Sequence, residues 1–327
     1  MYVVTGGAGF IGSNIAAALD QRHPGSVAIC DRLRDGAKWL NLAKRELIDI
    51  VSPEEIFAFL DRHGGEIEAV IHMGAISSTV ETDADRIFAT NYRLSLGIWR
   101  WCAEHKVRLI YASSAATYGD GAKGFDDAAG PAALAALRPL NAYGWSKNLF
   151  DRRVARMVAT QAPAPPQWAG LKFFNVYGPN EYHKGGQKSV AVQLHEQIAA
   201  GRPARLFKSH RKDYADGGQL RDFIWVGDCV EIVLWLLDNP GVSGLFNCGT
   251  GKARSFADLA RAVFAALERK PKIEYAPMPV SLRAKYQYFT EARMDRLRQA
   301  GYGRPFVALE DGVKRYVRDF LAADPYR

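Results

Sequence analysis

Tyr143 and Lys147 lie four residues apart in the stretch Asn141-Ala-Tyr143-Gly-Trp-Ser-Lys147, just after Pro139. The stretch reads as the opening of a helix, and at i and i+4 the phenol and the ammonium project from one face of it. A free phenol has a pKa of about 10, too high for base work at neutral pH, and an adjacent ammonium favours the phenolate. Such a couple can take a proton from an alcohol. A Y-x-x-x-K pair alone is common by chance, so its weight comes from its company. Upstream, Val107-Arg-Leu-Ile-Tyr111 reads as a strand ending in Ala112-Ser113-Ser114-Ala115-Ala116-Thr117-Tyr118-Gly119. Hydroxyls at the carboxyl end of a strand face the crevice where a parallel sheet binds ligands, which places Ser113, Ser114 and Thr117 as candidates beside the couple.

The element that must position a reaction partner is the start of the chain, Tyr2-Val-Val-Thr5-Gly6-Gly7-Ala8-Gly9-Phe10-Ile11-Gly12. An apolar strand breaks into G-x-G-x-x-G and then resumes helical periodicity. Glycines there permit a tight turn and close approach of backbone N–H groups to a pyrophosphate, which the helix N-terminus also attracts. A bound nicotinamide ring would add positive charge beside Tyr143. Val27-Ala28-Ile29-Cys30-Asp31 is the second strand, and Asp31 follows the last loop glycine by about 20 residues, where an acid meets the adenosine ribose hydroxyls. That acid favours NAD. Arg32, Arg34 and Lys38 follow at once, however, and cations beside the ribose are what a 2′-phosphate needs, so the expectation is NADP with NAD tolerated.

Further strands are expected at 46–49 and 69–72, with helices at about 53–63 and 85–105; His72, inside an apolar strand, reads as a core histidine. The alternation of strands and helices implies an α/β fold: a Rossmann-type doubly wound parallel sheet with a smaller α/β substrate-binding lobe. Residues 1–175, completed by about 222–250, form the dinucleotide-binding domain, and 176–221 with 251–327 form the second lobe. Helices are expected at about 227–237, within the completing segment, and at about 256–267 and 309–320 in the second lobe.

The 327 residues suffice for a large core. With 48% apolar and 24% charged residues, disorder, collagen-like repeats and disulfide scaffolds are excluded. No run approaches the roughly 20 apolar residues of a membrane span, and the opening strand is unlike an export leader. Cys30, Cys102, Cys229 and Cys248 lie far apart in apolar stretches without metal-ligand spacing, which reads as reduced thiols in the cytoplasm and no metal. The net charge of +8 is dispersed among acids and gives no nucleic-acid signature.

Thr5-Gly6-x-x-Gly9-x-x-Gly12, Ser114 and Tyr143-x-x-x-Lys147 in this order resemble the extended short-chain dehydrogenase/reductase family. Within it, nearly the whole chain looks like the ADP-glyceromanno-heptose 6-epimerases. The stretches that carry this are Gly6–Asn14, Asp35-Gly-Ala-Lys38, Tyr111–Gly119, Phe173-Phe-Asn-Val-Tyr-Gly-Pro179, His183-Lys184-Gly185, Arg221-Asp-Phe223 and Phe246–Gly251. His183–Gly185 and Tyr286-Gln-x-Phe-Thr290 set it apart from the UDP-sugar 4-epimerases.

The resemblance implies inversion at C6″ of an ADP-heptose for the lipopolysaccharide inner core, a tightly bound NADP, and a homo-oligomer, often a pentamer. It implies cofactor contacts from Phe10, Ile11, Asp31, Arg32, Lys38, Met73, Gly74, Ala75, Ile76, Ser77, Asn91, Lys147, Val176 and Lys184. Substrate contacts would come from Ser114, Asn175, Phe207, Lys208, Ser209, His210, Arg221 and Tyr286. Lys184 would be a second acid/base opposite Tyr143. Two are needed because the planar ketone must present its other face to the returning hydride, and its oxygen then meets a different proton donor. Gly186 and Gln193 stand where the family carries serine and histidine as substrate contacts, and the loop 208–218 is longer.

The competing readings are a nucleotide-sugar 4-epimerase resembling UDP-glucose 4-epimerase, and a non-catalytic relative that senses NADP or binds RNA. A 4,6-dehydratase is disfavoured, because Ala115 and Ala116 follow Ser114 where water elimination wants an acid pair.

Overall fold

The computed structural model describes residues 1–327 except 35, 129, 284 and 285, and leaves aside the side chains of 281 and 282. Asp35, part of a motif above, therefore lies outside the described residues.

Short apolar runs make the central strands. They are β1 (Tyr2–Thr5), β2 (Val27–Cys30), β3 (Leu47–Val51), β4 (Ala69–His72), β5 (Arg108–Ser114) and β6 (Trp168–Phe173). The chain leaves this sheet through β7 (Asn175–Tyr177), β8 (Ala204–Phe207) and β9 (Leu220–Trp225), and returns as β10 (Gly244–Cys248). The seven-stranded sheet has the order β10-β6-β5-β4-β1-β2-β3, and its ladders are parallel. Every residue of β1, β2, β4 and β10 is buried, as helices on both faces require. The order reverses between β1 and β4, and Thr5 pairs in register with Cys30 on one side and His72 on the other. A crevice opens above that switch point.

Helix α1 (Phe10–Arg22) follows β1, and α2 (Ile56–His63) precedes β4. The long helix expected at 85–105 is interrupted. Asp83 caps α3 (Ala84–Phe88) by accepting from the Arg86 N–H, and a wider π turn over Ala89–Arg93 then leads into α4 (Leu94–Glu104). Asn91 sits in that turn, a type of irregularity that collects at functional sites. After β5 come α5 (Pro131–Ala136) and α6 (Ala142–Ala159); the Asn141 side chain caps α6 by accepting from the Gly144 N–H at 2.8 Å.

The elements that follow include α7 (Val190–Ala199), α8 (Val226–Asp238), β11 (Ala253–Ser255), α9 (Phe256–Ala266), β12 (Ile273–Ala276), and three short helices, α10 (Val280–Arg283), α11 (Asp295–Gln299) and α12 (Leu309–Arg315), the last running on as a π turn over Tyr316–Leu321. Strands β11, β9 and β7 form a second sheet, and β8 pairs with β12. Two apolar cores result. One surrounds the large sheet, and the other joins Phe10, Tyr177, Leu206, Trp225, Val263 and Tyr316; Ile11 and Val176 pack against both.

Candidate active site

A cavity of about 1760 Å³ lies above the switch point. A pocket for one small molecule spans roughly 300–1,000 Å³, so this one has room for two large ligands side by side. Its floor is the glycine turn. Gly6 has φ +63°, and a Cβ there would come within 2.6 Å of the Gly74 nitrogen; a Cβ on Gly12 would collide with the Gly6 carbonyl oxygen. Gly9, the N-cap of α1, offers no side chain to the first-turn N–H groups, and no acid sits in that turn. An uncapped helix end beside glycines without side chains fits a pyrophosphate.

Just beyond the carboxyl end of β2, Asp31 accepts from the Ala8 N–H at 3.0 Å and pairs with the Lys38 ammonium at 2.6 Å. Arg32 pairs with Glu54. Met73, Gly74, Ala75, Ile76 and Ser77 form the facing wall. Asn91 stands behind that wall instead of lining the cavity. It is fully buried, its Oδ1 accepts from the Ile76 N–H at 2.8 Å, and its Nδ2 donates to the Ile76 carbonyl and to Ser146 Oγ, both at 3.0 Å. It shapes the wall from within.

His72 is the core histidine expected. Ser95 Oγ donates to the Asn91 carbonyl, so it accepts from His72 Nε2–H at 2.8 Å; Nδ1 then accepts from Thr5 Oγ1 at 2.6 Å, and Thr5 Oγ1 accepts from the Gly74 N–H. Burial and the nearby Lys147 charge hold its pKa down at about 3, so the ring is neutral.

Ser114, Tyr143, Lys147 and Lys184 all line this one cavity. Ser114 ends β5, and its Oγ accepts from the Ala116 N–H at 3.1 Å. Burial pushes the Tyr143 phenol above 10, with the Ser114 hydroxyl offsetting part of the rise. The lowered phenol expected from the sequence is therefore not delivered by the protein's own groups. The Lys147 ammonium is turned to the Ala112 carbonyl at 2.7 Å, and burial lowers its pKa to about 8. Lys184 sits in a 3-10 turn, Tyr182–Gln187, with its ammonium 5.3 Å from the centroid of the Phe10 ring. Burial lowers its pKa, opposed by Glu181. Glu181 pins that turn by accepting from the N–H and, at 2.7 Å, the hydroxyl of Ser189 beyond it, and from Tyr316 at 3.0 Å.

The model of the NAD dependent epimerase/dehydratase family matches residues 2–249. The chain belongs to that family. It is accordingly an epimerase-type enzyme that uses a nicotinamide dinucleotide. A relative from Nitratidesulfovibrio vulgaris (strain DP4), named ADP-L-glycero-D-manno-heptose-6-epimerase, is 51% identical over the full length of both chains. One of the same name from Fusobacterium nucleatum is 44% identical over 99% of each. The crystal structure of the Helicobacter pylori protein of that name is 27% identical, matches 97% of this chain and 95% of its own, and superimposes with a TM-score of 0.79.

Of the expected substrate contacts, Ser114, Asn175 and Gly186 line the cavity, as does Val176. Gln193, Phe207, Lys208, Ser209, His210, Arg221 and Tyr286 do not. Most of these gather in a separate cluster. Arg221 lies 5.1 Å from the Tyr286 ring centroid and donates to the Gln287 carbonyl, Phe207 packs edge-on against Tyr286, and the His210 N–H donates to the Tyr288 hydroxyl at 2.9 Å. Gln193 is occupied with the Lys188 carbonyl at 2.7 Å. Sequence reasoning named His183 only as part of a distinguishing motif and gave it no role; it lines the cavity next to Lys184, and burial lowers its pKa to about 4. It passed over Asp151, although Asp151 repeats the four-residue spacing of Tyr143 and Lys147.

Proposed function

We propose that the enzyme interconverts ADP-D-glycero-D-manno-heptose and ADP-L-glycero-D-manno-heptose by inverting C6″, with NADP bound and NAD tolerated. The observation that carries the reading is a single cavity in which the glycine turn, the Ser114–Tyr143–Lys147 group and Lys184 meet. The name shared by the relatives at 51% and 44% identity supplies the sugar and favours this reading over a 4-epimerase or a non-catalytic sensor.

When bound, the dinucleotide supplies the acceptor and donor of a hydride. Gly6, Gly9 and Gly12 with Phe10 and Ile11 hold its pyrophosphate, and Asp31, Arg32 and Lys38 meet the adenosine ribose. Lys38 neutralises Asp31, which removes the charge that would repel a 2′-phosphate. Tyr143 takes the C6″ hydroxyl proton while Ser114 hydrogen-bonds the oxygen. Once the ketone has turned, Lys184 returns the proton on the opposite face; its lowered pKa suits that task. Arg221 and Lys208 take the diphosphate.

The four buried free thiols agree with a cytoplasmic setting. Ile48 and Ile50, exposed on the edge strand β3, agree with self-association into a homo-oligomer, for which sedimentation gives the subunit number. Denaturing the purified protein, identifying the released dinucleotide, and following ADP-D-glycero-D-manno-heptose by NMR test the reading. NADP and the C6″ epimer are expected. Absence of any dinucleotide, or an unchanged sugar, would overturn it.

A further inference from the structure

We propose that the buried pair Asp151–Lys172 is a positioning element for the reaction, fixing Ser114 against Tyr143 and Lys147 and setting the charge that this couple feels. The proposal rests on the epimerase reading for its rate measurements and on the geometry alone for its spectral one.

Asp151 lies on α6 four residues beyond Lys147 and eight beyond Tyr143, so the three share a helical face. Lys172 comes from β6. Both side chains are fully buried, with Nζ 2.7 Å from Oδ2. Their other side-chain hydrogen bonds run to β5 and the turn after it, which flank Ser114, and the Lys172 ammonium lies 5.0 Å from the centroid of the Tyr118 ring. Ser113 Oγ donates to Asp151 Oδ2 at 2.6 Å and the Tyr111 hydroxyl to Oδ1 at 3.2 Å. Lys172 donates to Thr117 Oγ1 at 2.8 Å, and Thr117 Oγ1 donates to the Ser114 carbonyl at 2.8 Å. Ser114 is thus held from its preceding residue by the acid and from its own carbonyl by the base.

Replacing a buried ion pair with apolar residues is often neutral or stabilising, so stability alone does not explain one here. Charge does. The titratable groups facing the site are Tyr111 and Tyr118 from β5 and the turn after it, both raised by burial; neutral His72 from β4; Lys172 from β6; and Tyr143, Lys147 and Asp151 on α6. Asp151 is the acid among them. It opposes the burial of the Lys147 ammonium and adds to the rise of Tyr143.

The test compares Asp151→Asn, Lys172→Met, and an apolar pair combining Asp151→Leu with Lys172→Met, each as dinucleotide-loaded protein. Tyr143 ionisation is read from the ultraviolet difference between each protein and its Tyr143→Phe counterpart, which needs no substrate, and kcat and KM are read with ADP-D-glycero-D-manno-heptose. Removing the acid should lower the Tyr143 midpoint by about one pH unit, and removing the base should raise it by a similar amount. The apolar pair should return near the parent midpoint yet lose roughly tenfold in kcat with KM and dinucleotide content unchanged, since Ser113 and Thr117 have lost their anchors.

Single variants that displace the midpoint in the same direction, or not at all, would overturn the proposal. If the single variants do not fold, the apolar pair decides alone: the kcat loss supports positioning, and parent kcat rejects it. A parent protein without turnover would count against the sugar and leave the spectral result standing.

Discussion

The cavity floor and the Arg221–Tyr286 cluster are built in opposite ways. On the floor, each group sits where a local rule puts it. Ser114 ends a strand, Tyr143 and Lys147 share a helix face, and the glycines run from the end of β1 into the first turn of α1. The cluster instead joins β8, β9, the loop 208–218 and the segment around Tyr286, tied by contacts such as Gln287 to the Gly119 carbonyl and the Met278 N–H to His210 Nε2 at 3.2 Å. In the proposed reading the floor does the chemistry and the cluster holds the far end of the substrate. Variants in the two regions should therefore fail differently.

The sharpest break of that contrast is Tyr143→Phe, expected to lower kcat by about 10³-fold, within the range for a lost acid/base group. Bound dinucleotide, released on denaturation and quantified by absorbance, should be unchanged. Lys184→Met is expected to cost about 10²-fold with cofactor retained; parent turnover in this variant would remove the two-base scheme. Arg221→Gln should act on the other side of the comparison, raising KM roughly tenfold with kcat nearly unchanged, since it removes binding shared by ground and transition states. A fall in kcat alone would put Arg221 on the floor.

The smallest effect on rate belongs to His72, whose contribution is to stability. Its folded pKa of about 3 lies below the ordinary 6.5. The unfolded chain therefore takes up a proton first. The stability tied to neutral His72 is fully present above pH 6.5 and is lost as pH falls towards 3. Urea unfolding from pH 7 to pH 4 should show a shallower loss in His72→Gln than in the parent.

The same contrast decides what could be read from the chain. Apolar runs and glycines reported β1, β2, β4 and the turn after β1, because buried parallel strands and phosphate-binding turns have compositional signatures. The β5 strand was legible only to Tyr111, since Ser113 and Ser114 belong to it without looking apolar. The long helix was expected to be continuous, and nothing in Ala89–Arg93 announces a π turn. Asn91 could be flagged as a cofactor contact but not as the brace of Ile76, because that bond spans two elements. Asp151 and Lys172 escaped for a related reason. A charge in sequence reads as solvated, and only the packing of α6 on β5 and β6 buries this pair.

The account stands most directly on where one hydrogen goes. ADP-D-glycero-D-manno-heptose deuterated at C6″ is incubated with the enzyme in ordinary water, and the product is read by NMR and mass spectrometry. The expected result is the C6″ epimer with its deuterium retained, because the hydride leaves and returns without meeting solvent. Epimer formed with deuterium lost to water would contradict it.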